Sequence, residues 1–284
     1  MPVCTLRDGA AMAYADEGAG PAILLVHGWA ADGRFFSDLS ERLARTHRVL
    51  ILTLRAHPGS DAGSAPLTIE TLADDIAEFV AALDLKSFAA LGWSMGAMAL
   101  WAAAPALGQR LNAVIVEDMG PRLTNDAVWR GGLVGGYAAG DVAATLSEIE
   151  ADWPAYVSRF APRMFAPALA SVRPEVLAWA AAEMSKADPN AMASYWASMA
   201  EQDFGASRAR IAQRVLLISG EESHVYRDEP TDFIARTAPN ATRVIIPNAG
   251  HVPHLEAPDA FFQHVEAFVR DARRNEMRSG GAVP

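Results

Sequence analysis

Six short segments of the chain are apolar almost from end to end: AILLVH at 22–27, RVLILTL at 48–54, FAALGW at 88–93, NAVIVED at 112–118, RVLLIS at 214–219 and TRVIIP at 242–247. A strand with one wet face alternates apolar and polar residues. Strands that are apolar throughout are covered on both faces, the condition of a parallel sheet flanked by helices. The segments between them carry a helical period. In 68–84, Ile69, Leu72, Ile76, Phe79, Val80 and Leu83 recur at steps of three and four, with Thr68 placed as an N-cap. Residues 257–273 repeat the pattern through Phe261, Phe262, Val265, Phe268 and Val269. Strand, helix, strand, helix predicts a doubly wound α/β sheet.

The alternation is interrupted once. Residues 121–210 show no convincing strand and hold four of the seven tryptophans, Trp129, Trp153, Trp179 and Trp196. Pro154, Pro162, Pro167, Pro174 and Pro189 cut this stretch into short helices. The expectation is a helical lid over the C-terminal edge of the sheet, where open α/β sheets bind ligands. Any single aromatic there is packing first. Trp93, Trp129, Tyr137, Trp153 and Val252 are the candidates for substrate contact. Gly131-Gly132 and Gly135-Gly136 read equally well as a hinge or as packing. A length of 284 residues suits one large domain with an inserted subdomain.

Composition excludes several classes. A net charge of −10 disfavours nucleic acid, which needs a clustered basic surface. The only basic cluster, Arg270, Arg273, Arg274 and Arg278, is diluted by acids and glycines, so 274–284 reads as a flexible tail. Cys4 is the single cysteine, so no internal disulfide can form. The N-terminus lacks the pattern of a signal peptide, and no uncharged apolar run is long enough to span a bilayer, so the expected location is cytoplasmic with no membrane partner. No H-E-x-x-H, C-x-x-C or P-loop occurs, so neither metal nor cofactor is expected. Gly18-Ala19-Gly20 precedes a strand and is a turn. A homodimer stays open.

The chemistry begins at Gly92-Trp93-Ser94-Met95-Gly96, a G-x-S-x-G between an apolar strand and a helix-like AMALWAAA. The small residues two positions either side of Ser94 leave room for a sharp, strained strand-to-helix turn that exposes a nucleophilic serine. A developing oxyanion needs two fixed backbone N–H donors, and Met95 and Trp29, the latter in His27-Gly28-Trp29 after the first apolar strand, are placed to supply them. His27 itself is a loop-supporting residue. The serine needs a base. Among seven histidines, His251 in NAGHVPHLEAPDAFF follows a strand and a small-residue turn, which sets it above the sheet edge beside Ser94, with His254 its near rival.

The HG loop, the GWSMG turn and AGHVPHLEAPDAF together resemble the α/β-hydrolase superfamily, in its capped, esterase-like branch. TLRAHPGSD at 53–61 is similar to that family's D-x-R-G-H-G-x-S segment, with Ala56 and Pro58 where glycines are common. The resemblance covers about residues 10–270. It implies an eight-stranded, mostly parallel sheet (core 1–120 and 211–273) with the lid inserted after the sixth strand at 121–210, and the order serine, acid, histidine. One departure stands out. Most relatives carry the acid after the seventh strand, where this chain reads Gly220-Glu221-Glu222-Ser223. A minority carry it after the sixth, and that is AVIVEDMGP: Asp118 follows Ser94 by the twenty-four residues this alternative implies. Asp118 is therefore the expected acid, with Glu222 and Glu117 as alternatives. Glu117, on the opposite side of the pleat, is expected to be solvated or lid-facing.

The function implied is a serine hydrolase cleaving small to medium apolar acyl or aryl esters through an acyl-enzyme. Lactonase, thioesterase, amidase, C–C hydrolase and perhydrolase chemistry share the constellation. From other classes, a ligand-binding receptor on the same scaffold and an assembly scaffold remain alternatives, since fold does not fix function.

Overall fold

A computed structural model describes residues 2–205, 213–238 and 240–280. Eight strands form one sheet: β1 Val3–Thr5, β2 Ala11–Gly18, β3 Ala22–Val26, β4 Arg48–Leu52, β5 Phe88–Trp93, β6 Leu111–Glu117, β7 Arg214–Gly220 and β8 Ala241–Ile246. Their order is β1-β2-β4-β3-β5-β6-β7-β8. The β1–β2 and β2–β4 pairings are antiparallel, and every other pairing is parallel. The six apolar segments are the parallel strands, and β5 is buried along its whole length. Strands β1 and β2 escape the apolar-run criterion because they lie at the antiparallel edge, where β2 is exposed along its last residues.

The helices before the interruption are α1 Ser37–Leu43, α2 Ile69–Ala82 and α3 Met95–Leu107. Thr68 caps α2, its Oγ1 accepting the N–H of Thr71 at 3.2 Å. Between β6 and β7 lie α4 Val142–Ala151, α5 Trp153–Phe160, α6 Leu169–Val172, α7 Pro174–Met184 and α8 Pro189–Glu201. No strand occurs there among the described residues. Pro154, Pro174 and Pro189 stand in the first turns of α5, α7 and α8, where the ring removes an N–H that would have no partner in any case. After β7 come α9 Glu229–Thr237, α10 Pro253–Glu256 and α11 Pro258–Gly280. The α2 helix packs on α3, and α1 on α11.

Two expectations from sequence meet the structure differently. Residues 274–280, expected in a flexible tail, continue α11 in the backbone. Residues 206–212 and 281–284, which include the end of the expected lid, lie outside the described residues.

Parallel register brings the strand ends that matter into one row. Val26 pairs with Gly92, Trp93 with Glu117, and Glu117 with Ile218. The loops leaving β3, β5, β6, β7 and β8 therefore open on the same edge of the sheet. The helical insert is tied to a loop at this edge: Tyr195 of α8 donates its hydroxyl to the Arg55 carbonyl at 3.0 Å. Arg55 is itself buried, held by Asp75 of α2 and by Asp8 at 2.7 and 2.6 Å. Its guanidinium is pushed up from its ordinary value, most by the hydrogen bonds to Asp75.

Candidate active site

At the β5–α3 turn, Ser94 has φ 52° and ψ −121°, a conformation L-residues rarely adopt. The glycines two positions away permit it. A Cβ on Gly92 would meet the Ala97 nitrogen at 2.5 Å, and one on Gly96 the Val26 carbonyl oxygen at 2.2 Å. The Ser94 N–H donates to the Glu117 carbonyl at 2.9 Å, which locks the turn to the end of β6.

The residue that follows β6, Asp118, also turns into the left-handed region, with φ 43°, and its N–H donates to the Ile218 carbonyl at 2.8 Å. Short acids tolerate this conformation better than most residues. The turn swings the buried carboxylate toward the loop after β8. Asp118 Oδ2 lies 2.5 Å from His251 Nδ1. A carboxylate can only accept, so Nδ1 carries the proton and Nε2 presents its lone pair. The structure also supplies a partner that sequence reasoning missed: Ser223 Oγ donates to the same Asp118 oxygen at 2.7 Å. Ser223 occupies the post-β7 position where an acid is usual in the resembled family. It supports the acid on the neighbouring strand. Glu222, the alternative acid in that turn, is half-buried, and its N–H donates to the Ala249 carbonyl at 2.8 Å.

Glu117 requires a correction. The sequence reading leaves it solvated or lid-facing, but it is fully buried, with Oε1 accepting from the backbone N–H of His254 at 3.1 Å and lying 2.7 Å from His254 Nδ1. The pleat does turn it away from Asp118, but the face it turns to is covered by α10 and α11. His254, the rival base, pairs with this buried acid and does not line the cavity that Ser94 and His251 share.

The loop bearing His251 is fixed at several atoms. Trp93 Nε1 donates to the His251 carbonyl at 2.9 Å, and the His251 N–H donates to the Met164 carbonyl of the insert at 2.6 Å. Glu256 accepts the N–H groups of Ala166, Gly250 and Val252 at 2.7, 2.8 and 3.3 Å. Burial pushes its carboxyl up from the ordinary carboxylate value against the pull of those donors.

Met95 is the first residue of α3, so its N–H belongs to the unpaired set at a helix N-terminus. Trp29 lies in the turn closed by Ala31 N–H on the Gly28 carbonyl at 3.3 Å. His27 braces that turn. Its Nε2 accepts the Leu54 N–H at 2.9 Å and its Nδ1 contacts the Gly28 carbonyl at 2.8 Å. Burial lowers its pKa to about 4, so it is neutral at pH 7. These residues bring together a serine, a histidine in contact with a carboxylate and a nearby pair of backbone N–H groups, the kinds of group that acyl transfer uses. Among the described residues no group of three or more His, Cys, Asp or Glu side chains could hold a metal ion. No helix among them is long and apolar enough to cross a membrane.

The family model described as the alpha/beta hydrolase family matches residues 23–264. The chain belongs to the alpha/beta hydrolase family. A pimeloyl-[acyl-carrier protein] methyl ester esterase of Aliivibrio salmonicida is 24% identical over 259 residues, covering 89% of this chain and 94% of the relative. An esterase from Exiguobacterium antarcticum superposes with a TM-score of 0.87 at 20% identity, covering 94% of this chain and 98% of the other. The enol-lactonase from Burkholderia xenovorans LB400 gives 0.83 at 23%, covering 95% and 100%.

In this hydrolase Ser94 and His251 line one small cavity of about 30 Å³, walled by Trp29, Trp93, Phe160, Met164, Trp196 and Tyr226 among others. An outer cavity of about 220 Å³ shares Leu133, Phe160, Trp196 and Val225 with it and adds Tyr137, Tyr156, Arg163 and His224. Trp93 and Tyr137, candidates from sequence, thus reach the inner and outer cavity respectively. The other three line neither. Trp129 stacks edge-on to Phe233 at 5.1 Å, Trp153 packs on Trp29 at 5.4 Å, and Val252 is buried. Tyr226, unnoticed in the sequence, is buried with its hydroxyl pushed well above the ordinary value, first by burial and then by the Asp118 charge.

Proposed function

We propose that this alpha/beta hydrolase is a serine esterase that cleaves carboxylic esters bearing a small acyl group. The observation that carries the reading is the 2.5 Å contact of His251 Nδ1 with Asp118 while Ser94 and His251 line one cavity walled by apolar and aromatic side chains. His251 Nε2 takes the proton of Ser94 Oγ as that oxygen attacks the ester carbonyl. The N–H groups of Met95 and Trp29 hold the oxyanion, and Asp118 stabilises the imidazolium. The alcohol leaves with the proton of His251. Water, deprotonated by the same histidine, then releases the acid and frees Ser94. The inner cavity is small, about 30 Å³. Such a space suits a short acyl group at Ser94, with the larger part of the substrate in the outer cavity. The esterases among similar proteins support ester chemistry.

The test is hydrolysis of p-nitrophenyl esters from acetyl to dodecanoyl, with a lactone in the panel, by wild type and Ser94→Ala. Turnover of short chains that vanishes in Ser94→Ala supports the reading. Turnover of the lactone alone would replace esterase with lactonase. Stoichiometric binding without turnover of any of them would favour the receptor reading.

A further inference from the structure

Two adjacent carboxylates end β6, and each meets a histidine of the same loop. Asp118 takes His251, and Glu117 takes His254, three residues on. The second pair is wholly buried and touches no reacting atom. Glu117 Oε1 receives two contacts from one residue, the backbone N–H and Nδ1 of His254 at 3.1 and 2.7 Å. Among the described residues neither Glu117 Oε2 nor His254 Nε2 meets a hydrogen-bond partner. A buried acid and imidazole are an expensive way to fill a core, so their presence asks for a reason.

The neighbouring strand repeats the arrangement. Trp93 precedes Ser94 as Glu117 precedes Asp118. Its Nε1 donates to the His251 carbonyl at 2.9 Å, and its ring stands edge-on to His254 at 5.3 Å. Trp93 and Glu117 are register partners across β5 and β6. Each strand thus contributes two consecutive residues. Ser94 and Asp118 are the later of each two, and the residue before each, Trp93 or Glu117, holds the segment 251–254. The Ser94 N–H to Glu117 carbonyl bond closes the circuit. Serine, acid and histidine are thereby referenced to one pair of strand ends.

We infer that Glu117 and His254 are positioning residues for His251. The inference rests on the triad reading above. Glu117 works as an acceptor for the two N–H groups of His254, which holds the turn behind His251 so that Nε2 stays aimed at Ser94. What the pair supplies is geometry, not charge. A base displaced by about 1 Å loses on the order of a hundredfold in rate.

The test compares Glu117→Leu and Glu117→Gln, with Ser94→Ala and Asp118→Asn alongside. In the variants that keep Ser94, folded sites are counted by exhaustive labelling of Ser94 with diethyl p-nitrophenyl phosphate and kcat and KM on p-nitrophenyl acetate are taken per labelled site, whereas Ser94→Ala is normalised to protein concentration. Glu117→Leu is expected to lose roughly 30- to 100-fold in kcat with KM little changed, while Glu117→Gln, whose amide oxygen still accepts both N–H groups, recovers most of it. Wild-type kcat per site in Glu117→Leu, with only a lowered melting temperature, would make the pair structural and overturn the inference. So would an equal loss in Glu117→Gln, which would assign the work to charge. If Glu117→Leu yields no folded protein, His254→Leu against His254→Asn decides, the asparagine retaining an N–H donor and the activity. Full activity in Ser94→Ala would instead overturn the triad reading.

Discussion

Ser223 Oγ donates to Asp118 Oδ2 at 2.7 Å, on the oxygen that also faces His251 Nδ1 at 2.5 Å. The hydroxyl is held in turn by the N–H groups of Val225 and Tyr226, both at 3.3 Å, so it arrives with its direction set. A hydrogen bond to a charged group contributes about 1.5–3 kcal/mol, and part of that acts on the imidazolium-forming step. Ser223→Ala is expected to lower kcat on p-nitrophenyl acetate roughly tenfold with KM nearly unchanged. An unaltered kcat would mean that Asp118 needs no support from β7.

The same contact places residue 223 within reach of the acid's position. Asp118→Asn should reduce kcat by roughly a thousandfold or more, because an amide in place of the carboxylate permits the wrong histidine tautomer. Adding Ser223→Asp puts a carboxylate beside that amide, on the usual strand of the family. The double variant is expected to recover at least about tenfold over Asp118→Asn alone. Recovery in a steady-state assay of the purified pair checks this; a double variant no better than the single would show that the β7 turn cannot present an acid to His251.

How much of this was legible in the sequence depends on how far apart the cooperating residues lie. Ser94 was readable because its strand, its glycines and its helix are contiguous, and each glycine answers a steric demand within a few residues. His251 was readable for a similar reason. Asp118 needed the family resemblance, since two adjacent acids are equivalent until something decides which one meets the histidine. Ser223 supports it across 105 residues of chain, a contact created by the parallel pairing of β6 and β7 and written in no local pattern. The burial of Glu117 was missed because the pleat tells which way a side chain points and not what covers that face. Aromatic composition proved a poor guide to the cavity: Trp196 and Phe160 line it, while Trp129 and Trp153 pack elsewhere.

Phe160 belongs to both the inner and the outer cavity and separates them with Trp196. The two rings meet edge-on at 6.0 Å. Phe160→Ala removes one side of that constriction from α5, at the insert's inner surface, without touching the triad. Each methylene that gains a buried place contributes about 0.8 kcal/mol, close to fourfold in kcat/KM. The ratio of kcat/KM for octanoyl over acetyl p-nitrophenyl esters is therefore expected to rise at least tenfold. A ratio that stays at the wild-type value would show that acyl chains do not pass between these rings.

The acid limit of stability follows from two buried histidines that do no chemistry. His27 and His57 stack edge-on at 4.9 Å, and burial lowers them to about 4 and about 3 from 6.5, with His27 adding to the shift at His57. The sign runs against the native state in acid. Above pH 6.5 both rings are neutral whether folded or unfolded, and pH has no leverage through them. Below it the unfolded chain binds protons that the native chain refuses, so stability falls as pH drops from about 6.5 toward 4. Each histidine supplies a slope of up to about 1.4 kcal/mol per pH unit. The salt-bridged and hydrogen-bonded carboxylates Asp8 and Asp126, held below their ordinary values, act only at lower pH, whereas Glu256 and Asp75, pushed up by burial, work in the opposite sense, so the histidine contribution is read from the difference between wild type and a histidine variant. Urea unfolding at pH 7, 6 and 5 measures the slope directly. His57→Gln keeps a side-chain donor near the Arg55 carbonyl, which His57 Nδ1 contacts at 2.9 Å, and removes one titrating group. Its slope between pH 6 and 5 is expected to be shallower than wild type by about 1 kcal/mol per unit. Parallel slopes in the two proteins would mean that His57 takes up its proton in the native state, and that its burial does not set the acid limit.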